Sequence, residues 1–395
     1  MEDIHNYKKR LERTLELIKD ADDISVENKN TLLKFYESLV VEGMSISKTQ
    51  RYLYDVARLA KLLKKNLRDA TEEDLRSAVV DIETREWTIH TKTTFKMGIK
   101  KIYKFIDNIT ERGVSPERIK WLKTTVRRSQ TKLPEDLLTP NEIESLIRNS
   151  LCRRDMAFIA ALYESGCRIG EIGMLKIKDI AFDEYGAKIQ VFGKTGSRRI
   201  RIVFSSPYLL DWINEHPGNN DRESYVWVKN DNELMSHTRM NSILKDSAKR
   251  AKIQKRIYPH LFRHSRATFL AGHLTESQLK IVMGWSKNSD TPGIYVHLNG
   301  RDADNAILKM NGVKIDEDKE RIQLKSKQCL RCKTSNASTN KFCKVCGFVL
   351  DENEASKIIK EDESKNQIEE FMNKAVKNPE FLQMLVKKMA EMNMG

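Results

Sequence analysis

The chain has 395 residues, 39% of them hydrophobic, and a formal net charge of +14 at pH 7. That length exceeds one ordinary core, so two domains with appendages are expected, and the basic balance favours nucleic acid as partner, with an anionic membrane surface second. No run of about 18 apolar residues is present to span a bilayer, and the opening Met1-Glu-Asp-Ile-His-Asn6 lacks a charged-then-apolar leader, so no membrane partner and a cytoplasmic location are expected.

Residues 1–116 read as helices only. Ser47-Lys-Thr-Gln50 has the form of a capping box, and Tyr52, Val56, Leu59 and Leu63 follow at helical spacing. Phe95, Ile99, Ile102 and Ile106 form a later apolar stripe, and Lys92, Lys96 and Lys100 lie four apart on another face of that helix. Such a row is either a solvated face or a track for phosphates; in so basic a chain the three lysines are candidate DNA contacts. Residues 117–138 carry Arg118, Lys120, Lys123, Arg127, Arg128 and Lys132. They read as a basic linker, with Arg127 and Arg128 as further DNA-binding candidates.

A second domain is expected over 139–312. It opens at Thr139-Pro140-Asn141-Glu142, where an N-cap threonine, a proline at the first helical position and a glutamate at the third agree. A buried helix covers Met156 to Tyr163 and stops at Gly166; Arg168-Ile-Gly-Glu171 opens another. The alternation in Ile189-Gln-Val191-Phe192 and Arg199-Ile-Arg-Ile202, split by Gly193-Lys194-Thr195-Gly196, predicts a hairpin with a lysine at its tip. More helices run to about residue 310. The predicted class is therefore mainly α with a small antiparallel β-sheet.

The segment Tyr258-Pro-His260-Leu-Phe-Arg263-His264 places His260 and Arg263 on one helical face. A tyrosine, Tyr295, follows in a Pro/Gly-broken stretch. A bidentate cation, an acid/base group and a phenol suffice to attack a phosphodiester without a metal. His264 and His297 read as structural, Tyr225 and Tyr258 as core, and Cys167 as a small buried hydrophobe. Lys176, Lys178 and Arg198 are poor substitutes for Lys194.

In chain order the set is Arg168, Glu171, Lys194, His260, Arg263, Trp285 and Tyr295. Over roughly residues 25–305 the chain resembles the tyrosine recombinase (phage integrase) family. The matching phrases are Ser165-Gly-Cys-Arg168-Ile-Gly-Glu171, Phe192-Gly-Lys194, Pro259-His260-Leu-Phe-Arg263, Val282-Met-Gly-Trp285 and Ile294-Tyr295-Val-His297. The stretch Ser286–Pro292 resembles archaeal integrases.

The resemblance implies a helical DNA-clamping domain joined to a mixed catalytic domain. It implies that Tyr295 attacks the scissile phosphorus to give a 3′-phosphotyrosyl link, with His260 as proton acceptor or phosphate-oriented donor. Arg168 and Arg263 would hold the non-bridging oxygens. Lys194 would protonate the leaving 5′-oxygen, Trp285 would contact phosphate, and Glu171 would orient Arg168. The implied partners are double-stranded DNA and three further copies of the chain in a tetramer, with neither ATP nor a catalytic metal. The implied activity is site-specific recombination, either integration of a mobile element or resolution of chromosome dimers. The alternatives are a type IB topoisomerase or a non-catalytic zinc-ribbon DNA-binding protein.

Cys329-Leu-Arg-Cys332 and Cys343-Lys-Val-Cys346 form a C-x2-C-x10-C-x2-C pattern. Four thiolates so spaced fit one structural zinc in a ribbon over 326–350. Residues 351–395 read as a charged linker and a tail. In the tail, Ile368, Phe371, Met372 and Ala375, then Leu382, Leu385 and Met389, mark short amphipathic helices around Pro379.

Overall fold

The helical periodicities near the N-terminus are realised as α1 (Tyr7–Asp20), α2 (Val26–Val41), α3 (Ile46–Leu63), α4 (Glu72–Thr84) and α5 (Ile89–Ile106). The computed structural model describes residues 3–111, 114–124, 136–193, 196–298, 308, 310–311, 324–377 and 379–392. The chain divides into two compact units, Met1–Leu133 with Ser236–Thr238, and Pro134–Met235 with Arg239–Gly395.

In the first unit the core is built from α2, α3 and α5, with Leu32, Phe35, Leu53, Val56, Leu59, Phe95, Ile99 and Ile102 all buried. Gly98 lets α5 approach α3: a Cβ there would lie 3.3 Å from that of Asp55. The box expected at Ser47 does not form. Instead α2 is followed by a left-handed Gly43 (φ +68°), and α3 starts at Ile46 with an extended Ser45 at its N-cap, so Ser47 falls inside its first turn. Thr71 and Asp74 do make a reciprocal capping box on α4.

The second unit begins with α6 (Pro140–Arg148), capped by the expected Thr139–Glu142 box. Next come α7 (Arg153–Ser165), closed by Gly166 at φ +59°, and the short α8 (Ile169–Gly173). Strands β1 (Ile180–Asp183), β2 (Gly186–Gly193) and β3 (Gly196–Ile202) form an antiparallel sheet in that order, with Gly193 opposite Gly196 at the predicted hairpin turn. Buried Glu164 of α7 clamps the exit of β3, accepting from the amides of Val203, Phe204 and Ser205 at 2.8, 3.0 and 2.6 Å. After α10 (His237–Arg250), three helices contribute to the candidate site: α11 (Pro259–Ala271), α12 (Glu276–Met283) and α13 (Thr291–Leu298).

Between α10 and the sheet, α9 (Ser206–Glu215) carries the C-terminal ribbon, with its strands β4 (Lys327–Gln328) and β5 (Ser335–Asn336). The Tyr208 hydroxyl lies 2.9 Å from that of Ser338, and Lys344 donates to Asp211 at 2.9 Å. The stretch after Asp351, read from sequence as a linker, is instead the start of the 25-residue helix α14 (Glu352–Val376), followed by α15 (Pro379–Met392). Its lysines and glutamates are good helix formers, and no glycine or proline interrupts them before Pro379. Among the described residues no helix is long and apolar enough to cross a membrane.

Candidate active site

The site is organised by the end of one short helix. The last carbonyls of a helix have no partner within it, and at α12 three arginines supply the donors. Arg198 Nε on β3 donates to Val282 O at 3.0 Å, Arg263 Nη2 on α11 to Met283 O at 2.6 Å, and Arg168 Nη2 at the start of α8 to Gly284 O at 3.3 Å. Cations at a helix C-terminus also meet the negative end of its dipole. Arg263 has a second anchor, from Nη1 to Gly166 O at 2.8 Å. Burial, and after it the charge of Arg168, lowers its pKa to about 10. Arg263 nevertheless stays charged at neutral pH, and the two guanidiniums stand side by side.

Glu171 is the counter-charge. Its carboxylate accepts from Arg168 N at 2.9 Å, Arg168 Nη1 at 2.8 Å and Arg198 Nη2 at 2.7 Å. Burial alone would raise its pKa, but the hydrogen bonds from Arg198 and Arg168 outweigh that and bring it down to about 2. Glu171 thus lies bonded to both Arg168 and Arg198.

Downstream of α12, Gly284 adopts φ +62°, a conformation that favours glycine, and turns the chain into Trp285. The indole stacks on the ring of Tyr295 at 5.5 Å between centroids and 12° between planes, and Arg263 lies over the indole at 5.6 Å. Tyr295 is buried beneath this stack with Ala267, Leu279 and Met283. Burial raises its phenol above the usual tyrosine value, and the charge of Arg263 opposes that shift. His264 Nδ1 lies 2.6 Å from the Tyr295 hydroxyl. His260, one turn earlier on α11, is exposed, with its ring 6.3 Å from that of His264. Partial desolvation, then the charges of Arg263 and Arg168, lowers the pKa of His260 and favours the neutral ring.

The structure therefore brings Arg168, Glu171, Arg263, Trp285 and Tyr295 into one cluster, with His260 at its edge. Lys194, Arg127 and Arg128 lie outside the described residues. Two of the three lysines of α5 are engaged within their own unit: Lys96 pairs with Glu83, and Lys92 donates to Glu83 O at 2.6 Å. Sequence reasoning missed two residues of the cluster, His264 and Arg198. The signal for His264 was its i+4 relation to His260. For Arg198 it was strand alternation, which puts residue 198 on the same face as buried Ile200 and Ile202.

In the ribbon, the sulfurs of Cys329, Cys332, Cys343 and Cys346 all lie within 4.8 Å of one another, with Cys329–Cys346 and Cys332–Cys343 at 3.5 Å. Zn–S bonds of about 2.3 Å in a tetrahedron need S–S edges of roughly 3.8 Å, so the set fits zinc. The two knuckles also repeat one backbone design. Lys333 and Gly347, each following a second cysteine, are left-handed at φ +60° and +71° and donate to the carbonyls of Cys329 and Cys343, both at 2.9 Å. A lysine in that conformation costs on the order of 1 kcal/mol.

Residues 136–301 match the phage integrase family, a span that holds Arg168, Glu171, Lys194, His260, Arg263, Trp285 and Tyr295. A tyrosine recombinase of Thermosipho africanus is 26% identical over 66% of this chain and 91% of that protein. Tyrosine recombinase XerA of Pyrococcus furiosus is 24% identical over 71% and 93%. Among solved structures, XerH site-specific recombinase bound to palindromic difH substrate shares the fold. Its TM-score is 0.55 at 16% identity, covering 78% of this chain and 97% of that one. Residues 136–301 are thus a phage integrase family domain, and the relatives that the chain resembles are tyrosine recombinases.

Proposed function

We propose that the chain is a site-specific DNA recombinase or integrase that cuts and rejoins strands through a 3′-phosphotyrosyl intermediate. The observation that carries this reading is the meeting of Arg168 and Arg263 on the adjacent carbonyls of Gly284 and Met283, beside a tyrosine whose hydroxyl sits 2.6 Å from a histidine nitrogen. A scissile phosphate entering here exchanges carbonyl partners for charged oxygens, and each guanidinium can present two parallel donors to it. The preorganised pair then stabilises the charge that grows at phosphorus in the transition state.

Tyr295 Oη forms the new bond to phosphorus, and its proton passes to His264 Nδ1. The P–O5′ bond breaks, and Lys194 donates the proton that makes the 5′-hydroxyl. His260, kept neutral, holds a non-bridging oxygen through its ring N–H. Trp285 supports the nucleophile by stacking and can add one N–H to the phosphate. Rejoining reverses the steps with a different 5′-hydroxyl, so the covalent link conserves the bond energy and neither ATP nor a catalytic metal enters.

The same reading divides the chain into a DNA-binding helical domain (1–116), a basic linker (117–138), the catalytic domain (139–312), a zinc ribbon (326–350) and a tail (351–395). Lys100, Arg127 and Arg128 are its favoured backbone contacts. Joining two duplexes requires four strand cleavages and each chain brings one tyrosine, so a homotetramer on double-stranded DNA is the working assembly, in the cytoplasm. One zinc on Cys329, Cys332, Cys343 and Cys346 would hold the ribbon's fold.

The test is covalent capture. A random-sequence duplex library incubated with the protein should yield chains linked to DNA 3′ ends through Tyr295, and Tyr295→Phe should yield none while still binding DNA. Adducts formed by the Phe variant would place the nucleophile elsewhere.

A further inference from the structure

We propose that the C-terminal end of α10 and the loop after it form a phosphate-binding wall, which grips the DNA backbone a few phosphates from the scissile bond.

An open cavity of about 380 Å³ lies there, lined by Lys245, Lys249, Lys252, Lys255 and Arg256 together with apolar and uncharged groups. Among the described residues no acidic side chain lines it. Lys255 is neutralised, donating to Glu142 at 2.9 Å and to Leu137 O at 2.7 Å. The other four cations are exposed, and among the described residues none of them is paired with a carboxylate.

Stability does not explain this arrangement. Lys245 and Lys249 are i,i+4 neighbours on α10, and like charges so placed repel. The helix dipole favours a cation in the last turn, which accounts for Lys249, but Lys245 precedes that turn and Arg256 lies beyond the helix. Lys252 adopts left-handed backbone at φ +56°, its amide donating to Lys249 O at 3.1 Å. Glycine and asparagine suit that conformation better, so the chain keeps a lysine in this wall at a conformational cost.

A ligand that fits the wall carries several negative charges in a row. Lysine ammoniums are point charges on flexible stems, and they follow a phosphate chain without demanding forked geometry. Lys245 and Lys249 are separated by about 6 Å along α10. Duplex DNA presents one charge per about 1.7 Å of axis, so the two reach separate phosphates. Arg256 stands four residues before His260 in sequence, so their Cα atoms are at most about 14 Å apart. One strand rises about 3.4 Å per phosphate, which sets the wall within about five phosphates of the one that His260 contacts.

That placement rests on the proposed function, whereas the grip on DNA does not, and two measurements separate them. The first is the affinity for a random-sequence duplex between about 50 and 200 mM salt. Each phosphate contact contributes about 0.9 to the slope of log affinity against log salt. Lys245→Gln, Lys249→Gln and Lys252→Asn together should therefore reduce the slope by about 2.7. Across this range the variant should lose about 40-fold less affinity than the native protein. All three side chains are exposed and asparagine tolerates the left-handed angle. Should the combination fail to fold, Lys249→Gln alone should reduce the slope by about 0.9. Lys360→Gln, Lys365→Gln and Lys377→Gln remove the same charge from exposed positions of the tail and should change the slope less than half as much. A native slope in the α10 variant, or an equal reduction in the tail variant, would overturn the proposal.

The second measurement uses the duplex obtained by covalent capture, with one uncharged methylphosphonate at successive phosphates around the scissile one. Native protein should lose affinity at a position within about five phosphates of it, and Arg256→Gln should lose none at that position. Equal losses for both proteins at every such position would overturn the placement. A library that yields no adduct would remove the recombinase reading, and the salt slope would still decide whether the wall holds DNA.

Discussion

Replacing Glu171 with glutamine isolates the counter-charge of the site. The native carboxylate is 3% exposed and takes three hydrogen bonds from Arg168 and Arg198, whereas a glutamine offers one acceptor and turns an NH2 group toward donors. Its pKa falls from an ordinary 4.5 to about 2 in the fold. At about 1.4 kcal/mol per pH unit this depression is worth on the order of 3 kcal/mol at pH 7. A carboxylate depressed in the fold gives stability that is complete above its unfolded pKa and fades as pH falls toward the folded one. At pH 3 only about 1 kcal/mol of it should remain. Urea unfolding of native protein and Glu171→Gln at both pH values measures the difference, since every other carboxylate titrates alike in the two proteins and cancels. The stability gap should shrink by about 2 kcal/mol from pH 7 to pH 3. An unchanged gap would mean that the ionised carboxylate is not what Arg168 and Arg198 bind.

Arg263→Lys should reduce cleavage by on the order of 10²–10³, because an ammonium cannot bridge two oxygens in a fork; near-native single-turnover rates would take Arg263 out of the phosphate site. His264→Gln should cost about 10² or more at neutral pH. Since burial lifts the Tyr295 phenol above its usual range, that deficit should narrow only in strongly alkaline solution; a deficit constant with pH would remove His264 as proton acceptor. Purified protein should carry one zinc per chain, and Cys343→Ser should release it by leaving three ligands, as metal analysis would report. Retention of the metal by that variant would refute the four-cysteine site.

Much of this was legible in the sequence because its signals are local. Thr139-Pro-Asn-Glu142 declares a helix start by chemistry contained in four residues, and the predicted hairpin rests on alternation around Gly193–Gly196. The pairing of His260 with Arg263 needed only helical period. What escaped depends on residues far apart in the chain. Arg198 read only as a poor substitute for Lys194, because its partners Val282 and Glu171 lie 84 and 27 positions away. His264 looked structural because its partner lies 31 residues away. The charged stretch after Asp351 misled for the opposite reason. Its composition suits solvent, and a solvated helix has the same composition as a linker.

The end of α12 has one more consequence, for which anions the site will hold. On the proposed reading, main-chain carbonyls occupy the seats that phosphate oxygens would take, and carbonyls carry dipoles but no net charge. The carbonyls thus satisfy donors of Arg168 and Arg263 without adding to the negative charge that Glu171 already sets against Arg168. A small free anion such as sulfate must strip Arg168 and Arg263 from α12 with nothing else to offset that loss. A duplex offsets it along its whole bound length, through contacts remote from the scissile bond. The helix end thereby acts as a resident stand-in for the phosphate. On that reading it would disfavour small free anions relative to a phosphate delivered as part of a polymer.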